Sequence, residues 1–252
     1  MGIANPLRST HRAHDALLLL KRRLAEFADH YNNWADRSVP PPLWFIAALI
    51  PMVASQLVRL HLADPATWIF WDYAGRIGAL AVLVAIPSAR LVAFQLQRLR
   101  IAWWEAGLWI VGLVLLDQFL SRSITPRFNA TFPGTVFGIY PASHGWLHVI
   151  DTIFGLALVA YNEEILFRRC ARRLFQNYVG NGYEMVVITS LLFAAYHWWA
   201  GIGGVFEAAS VGFLLMLFYR RSGALWPAVL AHCLIDVADF ADLRINQFIQ
   251  AT

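Results

Sequence analysis

The feature that most constrains the fold of this chain is a series of long apolar stretches. Seven of them lie between residues 43 and 239, and most approach the roughly 20 residues that a helix needs to cross a bilayer core. Asp, Glu, Lys and Arg together make up only 14% of the 252 residues, against about 25% in soluble domains. We therefore expect an all-α, polytopic transmembrane bundle of seven to eight helices and not a soluble enzyme. The seven predicted segments are Leu43–Leu60, Trp71–Leu91, Ile101–Leu120, Gly145–Leu166, Met185–Ala200, Gly203–Tyr219 and Gly223–Asp239.

The chain divides at a run of three prolines, residues 40–42. We interpret residues 1–42 as a cytoplasmic N-terminal segment and residues 43–252 as a single transmembrane bundle. Within the first part, Asp15–His30 is either an amphipathic helix on the membrane surface or an ordinary cytosolic helix packed on the bundle. Cys170 and Cys233 are the only cysteines, so the sequence offers no disulfide framework and no cysteine-rich zinc motif.

The basic residues predict the orientation of the bundle, because cytoplasmic loops collect Lys and Arg. With the N-terminus in the cytoplasm, fifteen basic residues fall on the inner side and five on the outer side. This bias explains the net charge of +4 without nucleic-acid binding, which we do not expect. The outer five are Arg59, Arg76, Arg122, Arg127 and Arg244.

Ionisable residues inside membrane segments are costly and usually have a function. They cluster in the second half of the chain. Glu164 and Arg168 are four residues apart and can pair on one helix face, which leaves Glu163 without a partner on its own helix. The same spacing joins Phe193 to His197 and His232 to Asp236. Three helices would then bring one glutamate and two histidines to a common cavity, where they could activate a water and stabilise an oxyanion.

These residues also resemble the motifs of a known family. Residues 163–168, Glu-Glu-Ile-Leu-Phe-Arg, resemble E-E-x-x-x-R; residues 193–197, Phe-Ala-Ala-Tyr-His, resemble F-x-x-x-H; residues 232–236, His-Cys-Leu-Ile-Asp, resemble H-x-x-x-N except at the last position. All three, in this order, are typical of the CAAX protease and bacteriocin-processing (CPBP) family. Its members are intramembrane glutamic endopeptidases similar to the Ras-converting CAAX endopeptidase. The resemblance places a protease-like core at about residues 145–240.

The resemblance implies a role for each residue. Glu163 and His197 would activate a water, His232 would stabilise the oxyanion, and Glu164, Arg168 and Phe193 would support them. Asp236 departs from the family, in which an asparagine donates an amide N–H to the oxyanion. An ionised Asp has no donor, so Asp236 would serve only when protonated or by orienting His232.

The implied function is cleavage of peptides that are already membrane-associated, through a lipid anchor of the CAAX kind or as bacteriocin-like peptides or lipoproteins. We expect the cavity to open toward the cytoplasm, with membrane lipids as the other partner. No cofactor is expected, although Glu163, His197, His232 and Asp236 could also form a zinc or iron site. Two further alternatives stay open: an inactive membrane scaffold or peptide-immunity protein, which Asp236 favours, and a proton-coupled transporter that uses the carboxylates as a relay.

Overall fold

The protein is an all-α bundle in a computed structural model. The structure describes residues 18–19, 21–23, 26, 40–141 and 143–251, with side chains from 242 onward not described. Most of the predicted N-terminal helix Asp15–His30 thus lies outside the described residues. From residue 40 onward, eight helices follow one another in the described chain. They are α1 (Pro41–Arg59), α2 (Pro65–Ala85), α3 (Pro87–Phe94), α4 (Trp103–Thr131), α5 (145–179), α6 (Tyr183–Tyr196), α7 (Gly201–Ser222) and α8 (Trp226–Ala251).

All seven predicted segments coincide with helices, and the all-α class is confirmed. Four helices, α1, α2, α4 and α7, are long and apolar enough to cross a membrane, and α6 is a shorter apolar helix. Large apolar side chains point outward along them, such as Ile46, Leu108 and Leu191. An outward apolar surface of this extent is typical of contact with lipid. The chain is an integral membrane protein.

Proline and glycine explain where several helices begin and end. Asp64 caps α2 by accepting hydrogen bonds from Thr67, and these bonds hold the pKa of the Asp64 carboxyl below its ordinary value. The predicted segment Trp71–Leu91 is broken at Ile86, whose extended backbone precedes Pro87. At its C-terminus, α7 stops at Gly223, which has the left-handed φ of 72° that glycine tolerates.

Two predicted boundaries were wrong in a way that matters for the site. The segment predicted to end at Leu166 continues as α5 to Val179, through two wider π-type turns at Asp151–Gly155 and Glu164–Cys170. Conversely, α6 ends at Tyr196 and not at Ala200, so His197 caps the helix from outside it. The basic run after Leu166 ends the apolar pattern but not the helix, because Arg168 is buried inside the bundle and pairs with Glu164.

The core is made by helix pairs in close contact: α1 on α2, α6 on α7, and α8 on both α4 and α5. Gly75 of α2 lies directly against α1. A Cβ at this position would approach the Pro51 carbonyl oxygen to 2.9 Å and would overlap the Ser55 side chain. The glycine therefore sets the distance between the first two helices, which carry charged residues of the site described below.

We expect Gly75→Ala to destabilise the bundle by about 1–3 kcal/mol, the usual cost of an overpacked core. Gly112 is a matched control, since a Cβ there meets nothing within 4 Å and alanine is favoured over glycine in a helix by about 1 kcal/mol. Thermal unfolding in detergent would measure both variants. Equal stability of Gly75→Ala and Gly112→Ala would contradict the close α1–α2 contact.

Candidate active site

The predicted site residues converge on one cavity of about 300 Å³. Glu163 comes from the middle of α5, His197 from the C-terminal end of α6, and His232 and Asp236 from α8. All four side chains line the cavity. The structure therefore brings together the acid, the two imidazoles and the second carboxyl that the sequence indicates.

Glu163 lies at the centre of this group. Its Oε2 atom is 3.8 Å from His197 Nε2 and 3.9 Å from His232 Nε2, and it has no hydrogen-bond partner among the described residues. These distances are too long for direct hydrogen bonds and short enough for one water to contact both groups. The side chain is only 2% exposed, so such a water would be held against a desolvated carboxylate.

The partners of each histidine indicate which ring nitrogen carries a proton. His197 Nδ1 is 2.9 Å from the backbone carbonyl of Phe193; a carbonyl only accepts, so Nδ1 donates. His197 Nε2, facing Glu163, is then a proton acceptor in the neutral ring. His232 Nδ1 is 2.9 Å from Glu164 Oε1 and donates to it, because an ionised carboxylate also only accepts. The Nε2 atom of His232 can therefore donate only when the ring is protonated.

Glu164, Arg168 and Phe193 contact these groups and one another. Arg168, fully buried, donates from Nε to Glu164 at 3.1 Å and lies 4.3 Å above the Phe193 ring. The Phe193 ring in turn packs against His197, with centroids 4.6 Å apart. Gly212 of α7 leaves room for this ring, because a Cβ there would approach it to 2.8 Å.

Arg76 is the partner of Glu163 that the sequence analysis missed. Its Nη1 donates to Glu163 Oε1 at 2.8 Å, and its Nε donates to Asp72 at 2.9 Å. Asp72 also pairs with Arg59 from the end of α1. The expectation that Glu163 lacks a local partner holds only within its own helix. Asp72 and Arg76, spaced four apart in an apolar segment, gave the same signal that identified Glu164 and Arg168.

Three further acids line the cavity next to one another, and we call them the acidic wall. Carboxylate oxygens of Asp117, Glu207 and Asp239 all lie within 4.8 Å of one another, close enough to hold a cation or to share protons. Asp236 lies between this wall and the histidines, with Oδ1 3.6 Å from His232 Nε2. Of the two acids in the third predicted segment, Asp117 lines the cavity, and Glu105 pairs with Arg221 at the surface.

The cavity lies nearer to one end of the bundle than to the other. Its lining includes Arg59 at the end of α1, Ala200 before α7 and Gly204 in the first turn of α7. The first residue of α1, Pro41, lies at the opposite end of the bundle. If the N-terminus is cytoplasmic, as predicted, the cavity lies in the half of the bundle away from the cytoplasm. The cytoplasmic opening of the cavity and the cytoplasmic N-terminus both stay predictions.

We predict that Arg76→Met lowers the free energy of unfolding by about 3–5 kcal/mol, because it leaves buried carboxylates without their counter-charge. Arg221→Met is the matched control: it removes an arginine from an exposed pair with Glu105, which is worth about 0–1 kcal/mol. Denaturant titration in detergent would compare the two variants. A similar small loss in both would show that Arg76 does not hold a buried charge in place.

Comparison with known proteins identifies the second half of the chain. Residues 144–238 match the family model described as Type II CAAX prenyl endopeptidase Rce1-like. The matched region runs from the start of α5 into α8 and excludes Arg59, Asp72 and Arg76. This match confirms the resemblance to CAAX proteases. Neither the curated proteins nor the solved structures gave a match to the chain.

Proposed function

Residues 144–238 match the Rce1-like family model, and from this premise we propose that the chain is an intramembrane glutamic endopeptidase that cleaves membrane-associated peptides. At the level of the family, the domain is that of a CAAX-type peptidase. The observation that supports the glutamic mechanism is the position of Glu163 Oε2, without a hydrogen-bond partner among the described residues and 3.8–3.9 Å from two imidazole nitrogens. One water fits at this point.

In the proposed mechanism, the water donates one hydrogen to Glu163 Oε2 and the other to His197 Nε2. Both of its protons are then directed away from the substrate, and a lone pair is free to attack the scissile carbonyl. One proton passes to the glutamate or to His197 as the carbon–oxygen bond forms, and it is later delivered to the leaving amine. The products are a carboxylic acid and an amine, so the step consumes only the water.

The negative oxygen that forms on the carbonyl needs a donor. His232 can supply one from Nε2 when its ring is protonated, because Nδ1 is already directed at Glu164. The Glu164 carboxylate stabilises that charged ring, and Arg168 balances Glu164 in turn. Asp236 adds a second donor only when it holds a proton. The position of Asp236 beside the acidic wall favours its protonated form, because neighbouring carboxylates cannot all be ionised at low cost.

Arg76 has a positioning role in this proposal. By fixing Glu163 Oε1 and neutralising its charge, it directs Oε2 toward the water and prevents the glutamate from pairing directly with His197 or His232. The first half of the chain then contributes to the site through α1 and α2, although the family match does not extend to them.

Glu163→Gln is expected to reduce cleavage by at least about 10²-fold, because the amide cannot accept the proton of the attacking water. The assay uses purified protein in detergent and a quenched, farnesylated CAAX-type peptide. Glu105→Gln, at the surface pair with Arg221, is the control and should keep full activity. Wild-type cleavage by a folded Glu163→Gln variant would rule out the mechanism.

The same assay separates the alternatives. Cleavage that survives a strong chelator supports a metal-free site, and loss of cleavage that zinc restores would favour a metal at Glu163, His197, His232 and Asp236. A scaffold or immunity protein would show neither cleavage nor a dependence on Glu163. A proton-coupled transporter would show uptake into liposomes without cleavage.

Asp236→Asn is expected to keep or raise activity, because asparagine donates an N–H at every pH. If Asp236 donates in its protonated form, wild-type activity falls as the pH rises and Asp236 ionises. The Asn variant should lack the loss that comes from Asp236 and keep only the alkaline loss that follows deprotonation of His232. A pH–rate profile of both proteins would measure the difference. An inactive but folded Asp236→Asn variant would show that the carboxyl acts in another way.

A further inference from the structure

The bundle has one end that is rich in arginine. There, Arg169 donates to the Ala93 carbonyl and to Gln97, and the Arg100 N–H donates to the Ser222 carbonyl. Arg220 donates to the carbonyls of residues 181 and 182, just before α6. These contacts place the α3–α4 connection, the end of α5 and the end of α7 together. We call this the arginine end.

The opposite end is held together by a different set of contacts. Asn129 donates to the Ala200 carbonyl and accepts from the Gly203 N–H. The Phe137 N–H donates to the Trp199 carbonyl, and Tyr140 donates to Asp151 near the start of α5. The end of α4, the following connection, and the beginnings of α5 and α7 therefore lie together at this end, which we call the cavity end.

Arginine that is not fully buried is unequally distributed between the two ends. Among the side chains that the structure describes, the cavity end carries two such residues, Arg122 and Arg127. The arginine end carries eight: Arg90, Arg98, Arg100, Arg169, Arg172, Arg173, Arg220 and Arg221. Because short cytoplasmic loops collect Lys and Arg, this difference makes the arginine end the cytoplasmic one. All ten of these side chains are described in the structure, and none belongs to the N-terminal segment.

The proposed catalytic groups lie far from the arginine end. His197 follows the 14 residues of α6, which begins at that end, so it is about 21 Å away along the helix at 1.5 Å per residue. The hydrocarbon core is about 30 Å thick. The cavity lining then extends farther in the same direction, to Thr125, Tyr140 and Ala200 at the cavity end.

We infer that the cavity opens on the extracytoplasmic side of the membrane and that its substrate is a membrane-anchored peptide exposed on that side. The substrate in this inference rests on the proposed peptidase function, and the orientation of the cavity does not. A peptide with a cytosolic lipid anchor would meet the arginine end, about 21 Å from His197 by the same helix rise. An exported peptide or lipoprotein held in the outer leaflet would reach the cavity directly.

Two variants that each add one cysteine to the chain test the orientation. Gly134→Cys places a thiol at the cavity end, where residue 134 is exposed and a Cβ meets nothing within 4 Å. Leu96→Cys places one at the arginine end, where Leu96 is 98% exposed. The probe is a membrane-impermeant maleimide applied to intact bacterial cells that express the full chain. The parent protein, with Cys170 buried and Cys233 half-buried in α8, is the control for background labelling.

The expected result is labelling of Gly134→Cys in intact cells, and of Leu96→Cys only after the membrane is permeabilised. The reverse pattern, or equal labelling of both variants in intact cells, would overturn the inference. The labelling does not require activity, so it should be identical in a Glu163→Gln background.

Cleavage provides a separate measurement. Right-side-out vesicles should cleave a quenched lipopeptide added outside, and inverted vesicles of the same preparation should do so at least about 10-fold more slowly. Cleavage mainly by inverted vesicles would overturn the inference. If the labelling is as expected and neither vesicle preparation cleaves the lipopeptide, the orientation is supported and the peptidase function is contradicted.

Discussion

The buried ion pair between Arg76 and Glu163 is the interaction on which the site depends. A carboxylate that is 2% exposed inside a membrane bundle is very costly unless a counter-charge neutralises it. Arg76 occupies one carboxylate oxygen and leaves the other directed at the histidines. The same pair also connects α2 to α5, so the charge that the proposed chemistry needs is part of the packing of the bundle. Asp72 and Arg59 extend the network to α1.

A second buried network supports the histidines from the other side. Arg168, Glu164 and His232 form a chain of contacts in which the Glu164 carboxyl lies between the guanidinium and the imidazole. Phe193 lies between this chain and His197, in contact with Arg168 and with both imidazoles. Together the two networks fix Glu163 and both rings in position before a substrate arrives. Such preorganisation is the main way in which a site stabilises a developing charge.

Spacing along the chain predicted two contacts of the second network, but not the Arg76–Glu163 pair of the first. Glu164 with Arg168, and Phe193 with His197, are four residues apart, so helix geometry alone brings each pair together. Arg76 and Glu163 are 87 positions apart, and only the packing of α2 on α5 joins them. The hydropathy pattern also predicted that the fourth segment ends at Leu166, because hydropathy falls at the arginines that follow even though the helix continues. A segment that ends at Leu166 has Glu163 close to its end. Because α5 continues to Val179, Glu163 lies in the middle of the helix, 3.8 Å from His197.

The central claim is that Glu163 and His197 act on the same water, and a double-mutant cycle tests it most directly. Cleavage rates would be measured for Glu163→Gln, for His197→Gln and for the double variant, each shown to be folded. Groups that act as a unit give strongly non-additive losses. We predict that the double variant is only a few-fold slower than the slower single variant. A loss equal to the product of the two single losses would contradict the account.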